Sequence, residues 1–261
     1  MVKDKPISAK VDLVYGRQPV YEVLRAQRRI MRRIFVQESA IQNDGLRGIF
    51  DLCRILNCSV VKTSAGDLTQ MVGDVNHQGV AIEVGPYPYD QLSKAEQIVS
   101  GKKDSLVLFL DHLQDPQNLG SILRTADAAG VDAVIIPKDR AARVTSATVR
   151  ASAGASEHVR VVLVVNLVRS MQALKDRGMW IVGLDASSEA KHYTNVDMKG
   201  STGLVVGNEG TGLGRLVRNT CDFLVSLPMA GSIASLNAGV ACGIALYEVL
   251  RQRRTDPDCQ H

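Results

Sequence analysis

Aromatic side chains are scarce in this sequence: one Trp, four Phe and six Tyr make up 4% of its 261 residues. A protein that grips nucleic acid mainly by stacking needs more rings, so broad base stacking is excluded as the main binding mode. Cysteine is sparse as well. Cys53, Cys58, Cys221, Cys242 and Cys259 form no C-x-x-C pair and no repeated spacing. That pattern excludes a disulfide framework and a zinc site, and it predicts reduced thiols in a cytoplasmic protein. Met1-Val2-Lys3-Asp4-Lys5-Pro6 leads into no apolar stretch, so neither a secretory signal nor a transit peptide is expected. Long hydrophobic runs are also missing. Ile233 to Leu250 comes nearest, but Ser235, Asn237 and Glu248 interrupt it, and a buried helix is expected there instead of a membrane span. Neither G-x-G-x-x-G nor G-x-x-x-x-G-K-[ST] occurs, which argues against a dinucleotide fingerprint and a P-loop. His112, His158 and His192 are scattered, and no metal site is read from them.

What is present is a globular composition, 45% hydrophobic and 22% charged, with a formal net charge of +4. That length suits one large or two ordinary domains. The charge is unevenly spread. Residues 1–33 hold nine Lys/Arg against Asp4, Asp12 and Glu22, a local excess of +6. Arg25, Arg28, Arg29 and Arg32 are therefore candidates to follow RNA phosphates, the alternative being a solvated helix end.

The chain reads as two units. Over residues 10–84 the pattern is short and mixed: a helix from Pro19, a strand at 33–37, a helix at 48–56, and strands at 59–62 and 79–84. A small α/β domain fits. Two prolines in Gly85-Pro86-Tyr87-Pro88 and the polar stretch behind them mark 85–104 as a linker. From 105 to 254, apolar runs at Leu106–Leu110, Ala133–Ile136, Val159–Val165, Trp180–Leu184, Leu204–Val206 and Phe223–Leu227 alternate with helical stretches. Continuous apolar strands separated by helices predict an α/β fold, a mostly parallel sheet with helices on both faces.

Ligands of such sheets bind at the carboxyl ends of strands. Three of those ends carry unusual residues. After Leu106–Leu110 comes Asp115-Pro116-x-Asn118-x-Gly120-x-x-x-Arg124, with Asn118 placed where a helix N-cap belongs and Arg124 on an otherwise apolar or small helix. A guanidinium there must be paired or face a polar site. After Leu204–Val206 comes Gly207-Asn208-Glu209-Gly210-Thr211-Gly212, glycines dense enough to let backbone approach a ligand. After Phe223–Leu227 comes Pro228-Met229-x-Gly231-x-x-x-Ser235-Leu236-Asn237. Ser235 and Asn237 also suit helix caps, Glu209 suits a first-turn acid, and Asp185 suits a turn or the edge of a ligand pocket.

Together these three stretches resemble the signature motifs of the SpoU/TrmH family of RNA ribose 2′-O-methyltransferases. Residues 10–84 are similar to that family's ribosomal-protein-like substrate-binding domain, through Tyr15-Gly16-x-x-Pro19-Val20-x-Glu22 and His77-Gln78-Gly79. Among its members, the chain most resembles bacterial enzymes that methylate a guanosine of 23S rRNA. The resemblance implies a C-terminal trefoil knot, which no pattern argument would have given. It also implies a homodimer through the knotted domain, an RNA partner and S-adenosyl-L-methionine as cofactor. Gly207, Leu227 and Leu236 would contact that cofactor, with Asn208, Gly210 and Met229 nearby. A side chain at Gly207 would block its approach. Arg124, Asn118, Glu209, Ser235 and Asn237 would form the catalytic group, with Asn118 orienting Arg124 or the ribose. Arginine is a poor base at neutral pH, so Arg124 is read as holding the phosphate and the 2′-hydroxyl. Arg150 is a further RNA-contact candidate. A tRNA ribose methyltransferase, an inactive RNA-binding module and a nucleotide-dependent oxidoreductase are the competing readings.

Overall fold

The structure, a computed structural model, describes residues 11–42, 44–232 and 235–254. Lys3, Lys5 and Lys10 of the basic N-terminal segment, Cys259, and Ile233 of the apolar stretch lie outside the described residues.

Residues 12–84 build the first of two sheets. Its elements are β1 (Asp12–Tyr15), α1 (Arg17–Ala26), β2 (Met31–Gln37), α2 (Arg47–Ile55), β3 (Ser59–Thr63), α3 (Ala65–Val72) and β4 (Val80–Val84). The order is β1-β4-β2-β3, with β4 antiparallel to β1 and β2, and β2 parallel to β3. Helix α1 starts two residues before Pro19. Gly16, at φ 96°, turns the chain out of β1, and Pro19 then sits in the first turn, where its missing N–H loses no bond. The sequence reading missed β1 and α3. Four residues are too few to show alternation, and α3 buries only Leu68. Its start is marked by a cap, Ser64 Oγ accepting from the Asp67 amide at 3.1 Å.

The segment read as a linker is largely structured. Helix α4 (Leu92–Gly101) buries Ala95 and Val99. Before it, the Asp90 amide donates to the Val161 carbonyl at 2.9 Å and the Leu163 amide donates to the Asp90 carbonyl at 3.2 Å, adding one parallel bridge to the second sheet. Tyr87 Oη donates to the carbonyl of Ser156 at 2.8 Å, and the Val144 amide donates to Tyr89 Oη at 2.8 Å. The two prolines stop regular structure over only a few residues, and the tyrosines anchor that stretch.

The second sheet follows with β5 (Leu106–Leu110), α5 (Pro116–Ala128), β6 (Ala133–Pro137), α6 (Ser146–Ala151), β7 (Val161–Val164), α7 (Leu167–Lys175), β8 (Trp180–Leu184), β9 (Lys191–His192), β10 (Thr202–Val206), α8 (Arg215–Thr220), β11 (Phe223–Ser226) and α9 (Ala238–Arg254). The strand order is β7-β6-β5-β10-β8-β11-β9, and every pairing is parallel. All residues of β5, β6 and β10 are buried, as continuous apolar runs require when helices cover both faces. Leu106, Leu108 and Leu110 pack toward α5 and α9, whereas Val107 and Phe109 pack toward α4 and α7. The first of these clusters continues into Val20, Leu24, Ile34 and Ile82 of the first sheet. The run read as Val159–Val165 is strand only over Val161–Val164, and Val165 is 82% exposed. Among the described residues no helix is long and apolar enough to cross a membrane.

Candidate active site

Strands β8, β10 and β11 are neighbours, so their carboxyl ends and the loops that follow form one rim. A cavity of about 460 Å³ opens there, lined by residues 184–187 after β8, residues 206–213 after β10, and Leu227, Met229, Ser235 and Leu236 after β11.

The loop after β10 folds back on itself. Asn208 and Gly212 exchange backbone hydrogen bonds of 3.1 and 2.8 Å, and Gly212 adopts φ +65°. A Cβ on Gly207 would lie 2.3 Å from the Gly212 carbonyl carbon. Glycine is therefore required by the loop's own closure, before any ligand approaches. Asn208 is likewise a loop-building residue: its Oδ1 accepts from the Gly210 amide at 2.9 Å and its Nδ2 donates to the His112 carbonyl at 3.2 Å. Asp111, directly after β5 and 2% exposed, accepts from the Gly214 amide at 2.7 Å and holds His112 Nδ1 at 2.6 Å. The sequence reading overlooked Asp111, although its place at the end of a buried strand was a signal.

Helices α5 and α9 begin beside each other. Asp115 caps α5 through the Gln117 amide, which moves Asn118 from the expected cap position into the first turn. Asn237 caps α9, its Oδ1 accepting from the Gly239 and Val240 amides at 2.9 and 3.3 Å. Between the two starts lies Glu209. Its Oε1 accepts from Asn118 Nδ2 at 3.0 Å, Asn237 Nδ2 at 2.6 Å and the Ala238 amide at 3.1 Å. Asn237 Nδ2 also donates to Asn118 Oδ1 at 2.9 Å. Two positive helix ends converge on one carboxylate, a favourable arrangement for both. Asn118, Glu209 and Asn237 are thus joined, and Ser235 lines the cavity beside them.

The opposite wall is held by Arg218 of α8, a residue with no sequence signal. It donates to Asp185 Oδ2 at 3.3 Å, Ser187 Oγ at 3.1 Å and Glu189 Oε2 at 2.6 Å. Burial pushes the Asp185 carboxyl up, but hydrogen bonds from Ser187 and the Arg218 charge outweigh it and hold the carboxyl below the usual range. Leu227 and Leu236 are only half-buried. Their main-chain groups make no hydrogen bond among the described residues. The cavity therefore offers free backbone donors and acceptors, apolar side chains and two carboxylates at its rim. That set fits a ligand with a polar base and ribose and a positively charged centre.

Arg124 stands elsewhere. It is exposed on α5, makes no hydrogen bond or ion pair with any described residue, and lines a second cavity beside α1. Asn118 makes no hydrogen bond to it within this chain; its amide is bonded to Glu209 and Asn237. Of the proposed RNA-contacting arginines, Arg25 and Arg32 are exposed. Arg29 is not available: its side chain is 1% exposed and forms a paired contact to Glu157 at 2.7 and 3.0 Å. Arg28 donates to the carbonyl of Val159 at 2.7 Å and lies 3.8 Å from Asp90. Arg150 donates to the Asn76 carbonyl at 2.6 Å and lies over the Tyr15 ring. These three guanidiniums join the two sheets. A one-dimensional count of charge cannot separate such internal partners from solvent-facing cations.

Comparison with known proteins places this arrangement. Residues 105–247 match the SpoU rRNA methylase family, and residues 13–90 match the RNA 2′-O ribose methyltransferase substrate-binding family. The chain is 40% identical over 248 residues to YacO of Bacillus subtilis (strain 168), covering 95% of this chain and 98% of that protein. It is 46% identical over 197 residues to a Staphylococcus aureus (strain MSSA476) protein, covering 74% and 78%. Both are named for the TrmH family of tRNA/rRNA methyltransferases. The crystal structure of the SpoU methyltransferase AviRb from Streptomyces viridochromogenes, in complex with AdoMet, superposes with a TM-score of 0.78 at 28% identity, covering 97% and 95%. The chain belongs to the SpoU family of RNA methyltransferases.

Proposed function

We propose that this enzyme transfers a methyl group from S-adenosyl-L-methionine to the ribose 2′-hydroxyl of a guanosine in 23S rRNA, acting in the cytoplasm as a homodimer. The observation that carries the reading is the rim cavity, where unengaged main-chain groups of Leu227 and Leu236 face the glycine loop beside the Asn118–Glu209–Asn237 cluster. When bound, S-adenosylmethionine supplies an electrophilic methyl group on a sulfonium. Backbone at Gly207, Leu227 and Leu236 holds the cofactor, with Gly210 and Met229 at its edge. Glu209 and Asp185 line the same cavity, and their negative charge would favour a ligand that carries a positive centre.

Methyl transfer needs no covalent enzyme intermediate; it needs the attacking oxygen in line and its proton removed or screened. Arg124 holds the phosphate and hydroxyl, and the phosphate or a water accepts the proton. Val240, Ile244 and Tyr247 form an exposed apolar stripe at i, i+4 and i+7 on α9. We assign the dimer face to it, so that Arg124, which stands apart from the cavity of its own chain, serves the cavity of the second copy. A trefoil knot at the C-terminal segment belongs to the same reading.

The match of residues 105–247 to a family named for rRNA methylation supports rRNA. The Aquifex aeolicus TrmH/SpoU tRNA-modifying enzyme, at 31% identity and a TM-score of 0.54, aligns with only 62% of this chain. Incubating the protein with labelled S-adenosylmethionine and bulk rRNA or tRNA, then mapping 2′-O-methyl positions, tests the proposal. Label at one rRNA guanosine is expected. Label confined to tRNA overturns the substrate, and no label in either overturns the activity.

A further inference from the structure

The second cavity, also about 460 Å³, lies between the two sheets and is built from both. Helix α1 contributes Gln18, Glu22 and Arg25; α5 contributes Arg124 and Asp127; His158 comes from the segment before β7. Glu22, 8% exposed, gathers the near wall: it accepts from Gln18 Nε2 at 2.8 Å, contacts His158 Nε2 at 2.7 Å, and lies 3.5 Å from Arg25. A Cβ on Gly154 would come within 2.6 Å of the Glu22 Cβ, so α1 and the 153–158 segment are already in close contact. The cleft is therefore preformed.

Its charges decide what it can take. The carboxylate of Glu22 is engaged by three donors, and Asp127 is exposed on α5. Against them stand Arg25, with a side chain 63% exposed, and Arg124, with no partner among the described residues. No Phe, Tyr or Trp lines the cleft, and its one imidazole, His158, is held against Glu22, so base stacking is not its main contact. An acceptor-only group between two guanidinium forks is the ligand that satisfies this set. We propose that the cleft binds a phosphodiester of the RNA backbone between Arg25 and Arg124, with Glu22 and His158 as positioning residues that hold Arg25. The N-terminal region then fixes the strand's register directly, through α1. This rests on the RNA methyltransferase reading above.

The test is the salt dependence of binding to a short labelled single-stranded RNA, measured beside methyl transfer to bulk rRNA. Each lost phosphate contact lowers the log–log salt slope by about 0.7. Arg25→Gln and Arg124→Gln are each expected to show that decrease. Arg25→Gln should raise KM for rRNA several-fold while leaving the Kd for S-adenosylmethionine unchanged. His158→Ala should weaken RNA binding, and His158→Gln, which can still donate to Glu22, should restore it. Lys94→Ala, on exposed α4, serves as the control that keeps the wild-type slope. An Arg25→Gln variant with wild-type slope and KM overturns the cleft assignment. A wild-type protein that shows the expected slopes but transfers no methyl group overturns the activity and leaves the cleft standing.

Discussion

Asn237 joins two jobs in one side chain. Its oxygen caps α9 and its amide nitrogen meets Glu209 and Asn118. Asparagine to alanine removes both, and the capping loss alone is worth about 1 kcal/mol. Asn237→Asp separates the jobs: it keeps the cap but sets a second carboxylate against Glu209 Oε1, where a donor stood at 2.6 Å. Chemical denaturation should find the aspartate variant less destabilised at its helix end, while methyl-transfer assays find it no better than alanine. Full activity in the aspartate variant would contradict the network. The thiols give a simpler residue-scale prediction. Burial pushes Cys221 and Cys242 up to about 12 and Cys53 up to about 11. Raising a thiol from its usual 9.0 to about 12 cuts the thiolate fraction near pH 8 about a thousandfold. These three cysteines should resist alkylation in the folded protein and react on unfolding, as read by peptide mass mapping.

The glycine loop is where the element scale decides function. Gly207 and Gly210 look alike in sequence, three residues apart. A Cβ on Gly207 would overlap the Gly212 carbonyl, whereas one on Gly210 would find Asn208 Oδ1 at an ordinary 3.7 Å. Gly207→Ala should abolish S-adenosylmethionine binding in calorimetry, and Gly210→Ala should retain it. Sequence alone could not rank these two, because the reason is where the chain returns five residues later. Other elements were readable. The buried strands β5, β6 and β10 show as apolar runs, and their alternation with helices gave the parallel sheet. Asn118 and Glu209 stand out because each follows such a strand, and Asn237 because it follows the less buried β11; the catalytic roles given to them come from the family resemblance alone. Short β1 and the little-buried α3 escaped, since neither carries enough apolar period to register. Arg218 escaped because its partners, Asp185 and Glu189, lie some thirty residues away in a separate loop.

At the scale of the whole molecule, the basic segment divides between exposed cations and internal ion pairs. Arg29 is enclosed with Glu157, each side chain 1% exposed, with Asp12 at 3.6 Å and the Tyr87 ring 4.8 Å from the guanidinium carbon. This pair links α1's far end to the segment before β7 and so fixes the first sheet on the second. Burial pushes the Glu157 carboxyl up, and the Arg29 charge pulls it back. Replacing Arg29 with Met removes the pull and keeps the burial, leaving an uncompensated buried carboxylate that costs about 3–5 kcal/mol. The cost should depend on pH in a defined sense. An acid whose folded-state pKa lies above its unfolded value binds its proton more tightly when folded. Its contribution is favourable below the unfolded value and is lost as pH rises through the folded one. Arg29→Met should therefore be nearest to wild type in acid, with the deficit growing toward neutral pH as Glu157 is forced to ionise. Urea midpoints measured from about pH 5 to about pH 8 would show this. A deficit that is constant across that range, or that shrinks as pH rises, would mean that Glu157 finds another partner and that the two sheets are not held by this pair.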